Sequence, residues 1–148
     1  MRAALGLAFG VCMMAATCIR SQTLGLAVPP SGGATADSAA ALAVVVHTAR
    51  AFGLARQARP SFTGLHECYG DVGVVGLTLC WKGLDGEMQF YVHEVNRGEF
   101  TLRADRLIRE LTDSLQAHFG IGAVRQCEWG RHAGGRIGCP PLVGRDST

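Results

Sequence analysis

Apolar residues recur every three to four positions in two segments of this chain. The first segment covers residues 37–58, and Pro60 follows it. The second covers 103–119, and Gly120 stands where a left-handed helix cap is expected. This period places apolar side chains along one face of an α-helix. The pattern therefore predicts two amphipathic helices, each with one face that packs against something else.

Between the helical segments, apolar and polar residues alternate with a period of two. The alternation covers 74–81 and 87–95, and the connection contains Asp85-Gly86, a strong hairpin signal. In the second segment, one face would carry Met88, Phe90 and Val92. The opposite face would carry Gln89, Tyr91, His93 and Val95. A shift of one residue would exchange these faces, so the alternation predicts the register of an antiparallel hairpin.

Shorter strands are predicted at 65–69 and 123–129, and 98–102 extends the hairpin or starts another strand. The predicted fold class is α+β, with an antiparallel sheet of three to four strands and two helices packed on one face. The predicted order of elements is α-β-β-(β)-α-β. A chain of 148 residues is long enough for one such domain with its own core, and we place this domain at 37–148.

Residues 1–17 have the pattern of an export signal, with one positive charge and then an apolar run of about 14 residues. A helix that spans a bilayer needs about 20. Small residues before Cys18 give an order that resembles a bacterial lipoprotein precursor, which implies lipidation of this cysteine. Ala15 and Thr17 stand where such precursors usually have Leu and Gly or Ala. Cleavage near Thr17 by an ordinary signal peptidase is the alternative.

Residues 18–36 read as a flexible linker between the signal and the domain. Pro29, Pro30, Gly32 and Gly33 disfavour regular structure, and the segment is small and polar enough to stay solvated. With Cys18 lipidated, this linker would tether the domain to a membrane.

Four cysteines follow the linker, and an even number in an exported chain predicts two disulfides. They are Cys68, Cys80, Cys127 and Cys139. Pairing Cys68 with Cys80 and Cys127 with Cys139 is favoured because short loops close at the least entropic cost. The alternative joins Cys127 to Cys68 or Cys80. Structural zinc usually takes closely spaced cysteine pairs, so we expect neither a metal nor a cofactor.

Charge and motifs exclude some classes of function. The formal net charge is +2, from 14 basic and 12 acidic residues, which gives no concentrated basic face for nucleic acid. The sequence contains no HExxH, no GxSxG, no CxxC and no phosphate-binding loop. We therefore assign no catalytic residue and expect no nucleic-acid partner.

With both helices on the Phe90 face, the opposite face of an antiparallel sheet is open to solvent. Its Gln89, Tyr91 and His93, or the basic tail with Arg131 and Arg136, form the candidate contact surface. We hypothesise a small exported bacterial envelope protein, membrane-associated if Cys18 is lipidated, that acts as a binding module. It would lie in the periplasm, in the outer envelope or outside the cell, and bind an envelope or extracellular protein.

Two alternatives belong to other classes of function. One is a small periplasmic or secreted hydrolase that uses scattered His and Glu residues, for which His66, His93 and an acidic side chain would have to converge in a pocket. The other is a purely structural component of the envelope.

Overall fold

The computed structural model describes residues 20–29, 34–58, 67–72, 76–84, 87–96, 99–131 and 137–140. The predicted export signal and Cys18 lie outside this part of the chain. Within it, the elements in chain order are β1 (Arg20–Val28), α1 (Ala34–Ala51), β2 (Ala55–Arg56), β3 (Glu67–Gly70), β4 (Gly76–Leu84), β5 (Glu87–Asn96), α2 (Leu102–Phe119), β6 (Arg125–Cys127), β7 (Gly130–Arg131) and β8 (Ile137–Gly138). Neither helix is long and apolar enough to cross a membrane.

Six strands form one antiparallel sheet in the order β2-β3-β4-β5-β1-β6, and β7 and β8 form a separate hairpin. The four strands β4-β5-β1-β6, with α1 after β1 and α2 after β5, have the split β-α-β arrangement of ferredoxin-like folds. The predicted α+β class with an antiparallel sheet is confirmed. The predicted count of three to four strands is too low.

The segment Arg20–Val28 is strand β1, so the prediction of a flexible linker is wrong there. The strand lies between β5 and β6, and its pairing with β5 runs from Arg20 opposite Asn96 to Val28 opposite Met88. Leu26 and Val28 are fully buried. Burial of alternate apolar residues drives this segment into the sheet, and the prolines and glycines that suggested a linker begin only after Val28.

Both helices share one hydrophobic core with the sheet face that carries Phe90. The strands contribute Leu26, Val28, Tyr69, Leu77, Leu79, Trp81, Met88, Phe90 and Val92. The helices contribute Ala41, Val45 and Ala49 from α1, and Ala104, Leu107, Ile108, Leu111 and Leu115 from α2. We call this face of the sheet the helix face and the opposite one the second face.

Local interactions set the ends of the helices. Helix α1 ends at Ala51 and not at residue 58, because Gly53 turns the chain with φ 68° and β2 then joins the sheet. Before α2, the side chain of Thr101 accepts a hydrogen bond from Ala104 N. The Glu94 carboxylate accepts from Thr101 N at 2.8 Å and from Thr101 Oγ1 at 2.7 Å. Helix α2 is therefore tied to the end of β5 through Thr101, the residue that precedes it and caps it.

Candidate contact surface on the second sheet face

Both disulfides lie on the second face, in one row that crosses five strands. The residues opposite one another along this row are Cys68, Cys80, Tyr91, Gly25 and Cys127. The disulfides join Cys68 to Cys80 and Cys127 to Cys139, which is the pairing favoured on loop length. The first ties two neighbouring strands together, and the second ties β6 to the segment after β8.

The segment after β6 lies over this row. We define the C-terminal cover as Trp129, the β7–β8 hairpin and Cys139. A Cβ atom at Gly25 would overlap Cys127 Sγ and would lie 2.9 Å from Cys139 Sγ and 3.2 Å from the Trp129 ring. Glycine at this position thus makes room for the disulfide and the indole that close the cover onto β1.

Lys82, the only lysine of the chain, joins the cover to the sheet from β4. Its side chain is buried, its Nζ donates a hydrogen bond to the carbonyl of Ile137, and the ammonium lies 5.1 Å from the centre of the Trp129 ring. Burial lowers the pKa of Lys82. From β5, Gln89 Oε1 accepts a hydrogen bond from Cys139 N at 3.2 Å. Two polar side chains of the sheet therefore hold backbone groups of the cover.

The second face is not open at Gln89 and Tyr91, so the expectation of an exposed row of polar and aromatic residues is wrong at these positions. Gln89 is buried and Tyr91 is 3% exposed. The Tyr91 ring packs edge-on against Trp129 with centroids 4.9 Å apart, and burial raises the pKa of Tyr91. The sequence pattern predicted a strand at 123–129 but gave neither Trp129 nor the tail after it a position on this face. The Cys127–Cys139 disulfide and the contact of the Trp129 indole with Tyr91 place both there.

His93 lies one row closer to the start of β1, where the face is half-buried. Its ring stacks on Tyr91 at a centroid distance of 5.5 Å, and Nδ1 lies 2.9 Å from Thr23 Oγ1. Burial lowers the pKa of His93, and the backbone of Gln22 opposes that shift. His93 is thus the most accessible of the three strand residues predicted to make contacts.

The predicted basic residues belong to the C-terminal segment. Arg131 is in β7, directly opposite Ile137 of β8, whereas Arg136 lies outside the described residues. Ile137 is 42% exposed although its carbonyl is held by Lys82. The hairpin therefore turns an apolar side chain outward from a backbone that is fixed to the sheet.

The acidic side chains near the predicted histidines make structural contacts. Glu67 binds Arg56 at 2.6 Å and accepts a hydrogen bond from Tyr69. Glu94 accepts hydrogen bonds from Thr101, the residue that caps α2. His66 and His132 lie outside the described residues, and among the described ones no three side chains of His, Cys, Asp or Glu are grouped as a metal site would require. The hydrolase alternative gains no support from Glu67 or Glu94.

A shallow, largely apolar cleft of about 380 Å³ lies at the far end of the sheet from the start of β1. Its walls are formed by Ala27, Pro29, Glu87, Gly122, Ala123, Val124 and Arg125. Arg125 forms an ion pair with Glu87 at 3.1 Å at its edge. None of the predicted contact residues lines this cleft.

The chain matches no protein-family model and no curated protein. A function for this chain is therefore inferred from the geometry of the second face. Sequence reasoning missed Lys82 and Trp129 as parts of this face. The alternation already placed Lys82 on the face of Cys80, but no local pattern indicates that Trp129 returns to the sheet.

Proposed function

We propose that this chain is an exported protein of the bacterial envelope that binds a protein partner through the outer side of the β7–β8 hairpin. Cys18 is the proposed point of membrane attachment. The observation that carries the proposal is the way in which the hairpin is held. A disulfide, Lys82 and Gln89 fix it to the sheet, while Ile137 projects from it.

Two disulfides in a chain of this size support export, because such bonds persist mainly in oxidising compartments. The sequence pattern of residues 1–17 favours the same compartment. Both observations concern where the chain works and not what it binds.

The fixed hairpin supports a binding role. A contact residue on a rigid backbone loses little conformational entropy on association, so more of its contact energy appears as affinity. Ile137 stands opposite Arg131 in the hairpin register. The complementary surface on a partner is an apolar pocket that receives Ile137.

Export is tested by the intact mass of the protein from its own cell envelope, with and without reduction and alkylation. A mass that starts at Cys18 with added acyl chains, and four thiols that appear only after reduction, would support the proposal. A full-length mass with free thiols would contradict both export and the disulfides.

Binding is tested with a photoreactive residue at Ile137 and, as a matched control, at Ile121. Ile121 is a 95% exposed isoleucine after α2 and outside the hairpin. We expect one partner to cross-link at position 137 and not at 121. The purified partner should then lose at least tenfold in affinity for Ile137→Asp, about 1.4 kcal/mol, and keep its affinity for Ile121→Asp. Equal cross-linking at both positions, or unchanged affinity of Ile137→Asp, would exclude the hairpin as the contact.

A further inference from the structure

We infer that the end of the domain where β1 begins rests on a lipid bilayer, with Val72 and Leu102 inserted at the level of the headgroups. This inference rests on the proposed attachment at Cys18. It adds an orientation of the domain and a second surface, distinct from the β7–β8 hairpin.

The distance between the attachment point and the sheet is short. Only Ile19 separates Cys18 from Arg20, the first residue of β1. An extended chain advances at most about 3.6 Å per residue, so Cys18 lies within about 7 Å of the start of the sheet. Because β1 is hydrogen-bonded between β5 and β6, fixing the start of β1 at the membrane also fixes this end of the sheet there. A lipid on Cys18 would therefore bring one end of the domain against the membrane, with no linker between them.

The strand register shows which residues form that end. Arg20 is opposite Asn96, and Val95 is opposite Gly76, the first residue of β4. The starts of β1 and β4 and the finish of β5 thus lie together. The chain enters β4 from the loop that contains Val72, and it leaves β5 toward α2.

An ion pair joins that loop to the first turn of α2. The Asp71 carboxylate accepts hydrogen bonds from Arg103 at 2.7 and 2.8 Å and from Leu77 N at 2.9 Å. Val72 follows Asp71 and Leu102 precedes Arg103 in the sequence. The same ion pair therefore holds both apolar residues at the end where β1 begins.

Val72 is 96% exposed and Leu102 is 81% exposed, and they are two of the four large apolar side chains that are most exposed among the described residues. Exposed apolar side chains close to a membrane anchor insert into the interface and strengthen a single anchor. Exposed charges of both signs, Arg106 and Asp105, lie in the first turns of α2. We therefore assign the contact to apolar insertion and not to attraction by anionic lipids.

The test uses the mature domain from Cys18 onward with both disulfides formed. Cys18 is then its only free thiol, because the other four cysteines are bonded. The protein is coupled through Cys18 to phosphatidylcholine vesicles that contain a maleimide lipid. Hydrogen–deuterium exchange is compared with the same protein capped by N-ethylmaleimide and mixed with plain vesicles.

Coupling should slow exchange several-fold at residues 71–72 and 99–105 and leave 120–124 unchanged. The variant Val72→Ser with Leu102→Ser should lose this slowing. Ile121→Ser, an equally exposed apolar residue at the other end of α2, should keep it. Equal exchange in coupled and capped protein, or slowing at 120–124 instead, would overturn the inference.

The two proposals fail in distinguishable ways. Native protein without acyl chains would remove the attachment at Cys18, and with it the physiological reason for this orientation. Acylated native protein whose coupled form shows no slowing at 99–105 would remove only the orientation and leave the proposed function intact.

Discussion

The two faces of the sheet are covered by different means. On the helix face, two helices of 18 residues each bury fully apolar side chains such as Phe90 and Leu111. On the second face, a short segment is held by one disulfide, a lysine and a glutamine. Among the described residues, the helix face has a large cluster of buried apolar side chains and no disulfide, whereas on the second face only Trp129 of the cover packs against a small cluster of Cys68, Cys80 and Tyr91.

The polar residues of the second face also specify where the cover lies. Lys82 and Gln89 are buried, and a buried polar group without a hydrogen-bond partner is costly. Both find partners in the backbone of the cover, at Ile137 and Cys139. Displacing the cover would leave these groups unpaired until water reached them. Covalent and polar constraints thus replace the apolar area that the helices supply on the other face.

The largest effect should come from the helix face. Phe90→Ala removes a fully buried ring from the middle of β5 and should lower the free energy of unfolding by about 3–5 kcal/mol. Urea unfolding of the oxidised protein measures this change. Phe90→Leu keeps most of the volume and should cost less than half as much. A loss below about 1 kcal/mol for Phe90→Ala would show that this face is not the principal core.

The next effect tests whether the cover depends on its disulfide. Replacing Cys127 and Cys139 together with Ser should lower the free energy of unfolding by about 3 kcal/mol. In a Trp81→Phe background, acrylamide quenching of Trp129 should rise well below the unfolding midpoint, because the cover lifts while the helix face stays packed. The control with Cys68 and Cys80 replaced by Ser should leave this quenching low. Low quenching in both variants would mean that the disulfide does not hold the cover.

A substitution at Gly25 tests how closely the C-terminal cover approaches β1. An added methyl group meets the disulfide and Trp129, so Gly25→Ala should cost about 1–3 kcal/mol in the oxidised protein. The cost should fall when Cys127 and Cys139 are already Ser, since the opposing atoms can then move away. A double-mutant cycle measures this coupling. Additive effects would contradict the close approach.

The smallest effect concerns pH. Since burial lowers the pKa of His93, the unfolded chain binds its proton more readily than the folded one below about pH 6.5. The free energy of unfolding should therefore fall as pH is lowered from 7.5 to 5.5. In His93→Gln the free energy of unfolding should fall less over the same pH range. The difference between the two proteins should be less than about 1 kcal/mol, because the His93 ring is half-exposed. A steeper fall in His93→Gln than in the unchanged protein would show that protonation of His93 does not destabilise the folded state.

The elements with a clear period and matching turn or cap signals at their ends could be predicted from the sequence, whereas β1 could not. The alternation of 74–81 and 87–95 corresponds to β4 and β5, and the second apolar stripe corresponds to α2. Strand β1 also alternates, at Leu24, Leu26 and Val28, but prolines and glycines follow it at once. Its pairing partners, β5 and β6, are far along the chain, so no local signal separates it from a linker.

The candidate surfaces depend on contacts between distant residues. The cysteine count predicted that the C-terminal segment is anchored, but not that it lies on Tyr91. Arg103 binds Asp71 across 32 positions in the sequence. Local propensity carries no information on such a contact, because both side chains are ordinary surface residues until the sheet and α2 bring them together.

The position of β1 also affects the order of folding. The first strand of the domain pairs with β5 and β6, so Gly25 must find Tyr91 and Cys127, both far along the chain. Pairings of such long range are slow, because loop closure precedes any gain from contacts. The sheet cannot be completed until almost the whole chain is available. A chain that emerges from its N-terminus would thus hold β1 without its neighbouring strands through most of its synthesis, although α1 and the β4–β5 hairpin need only local contacts.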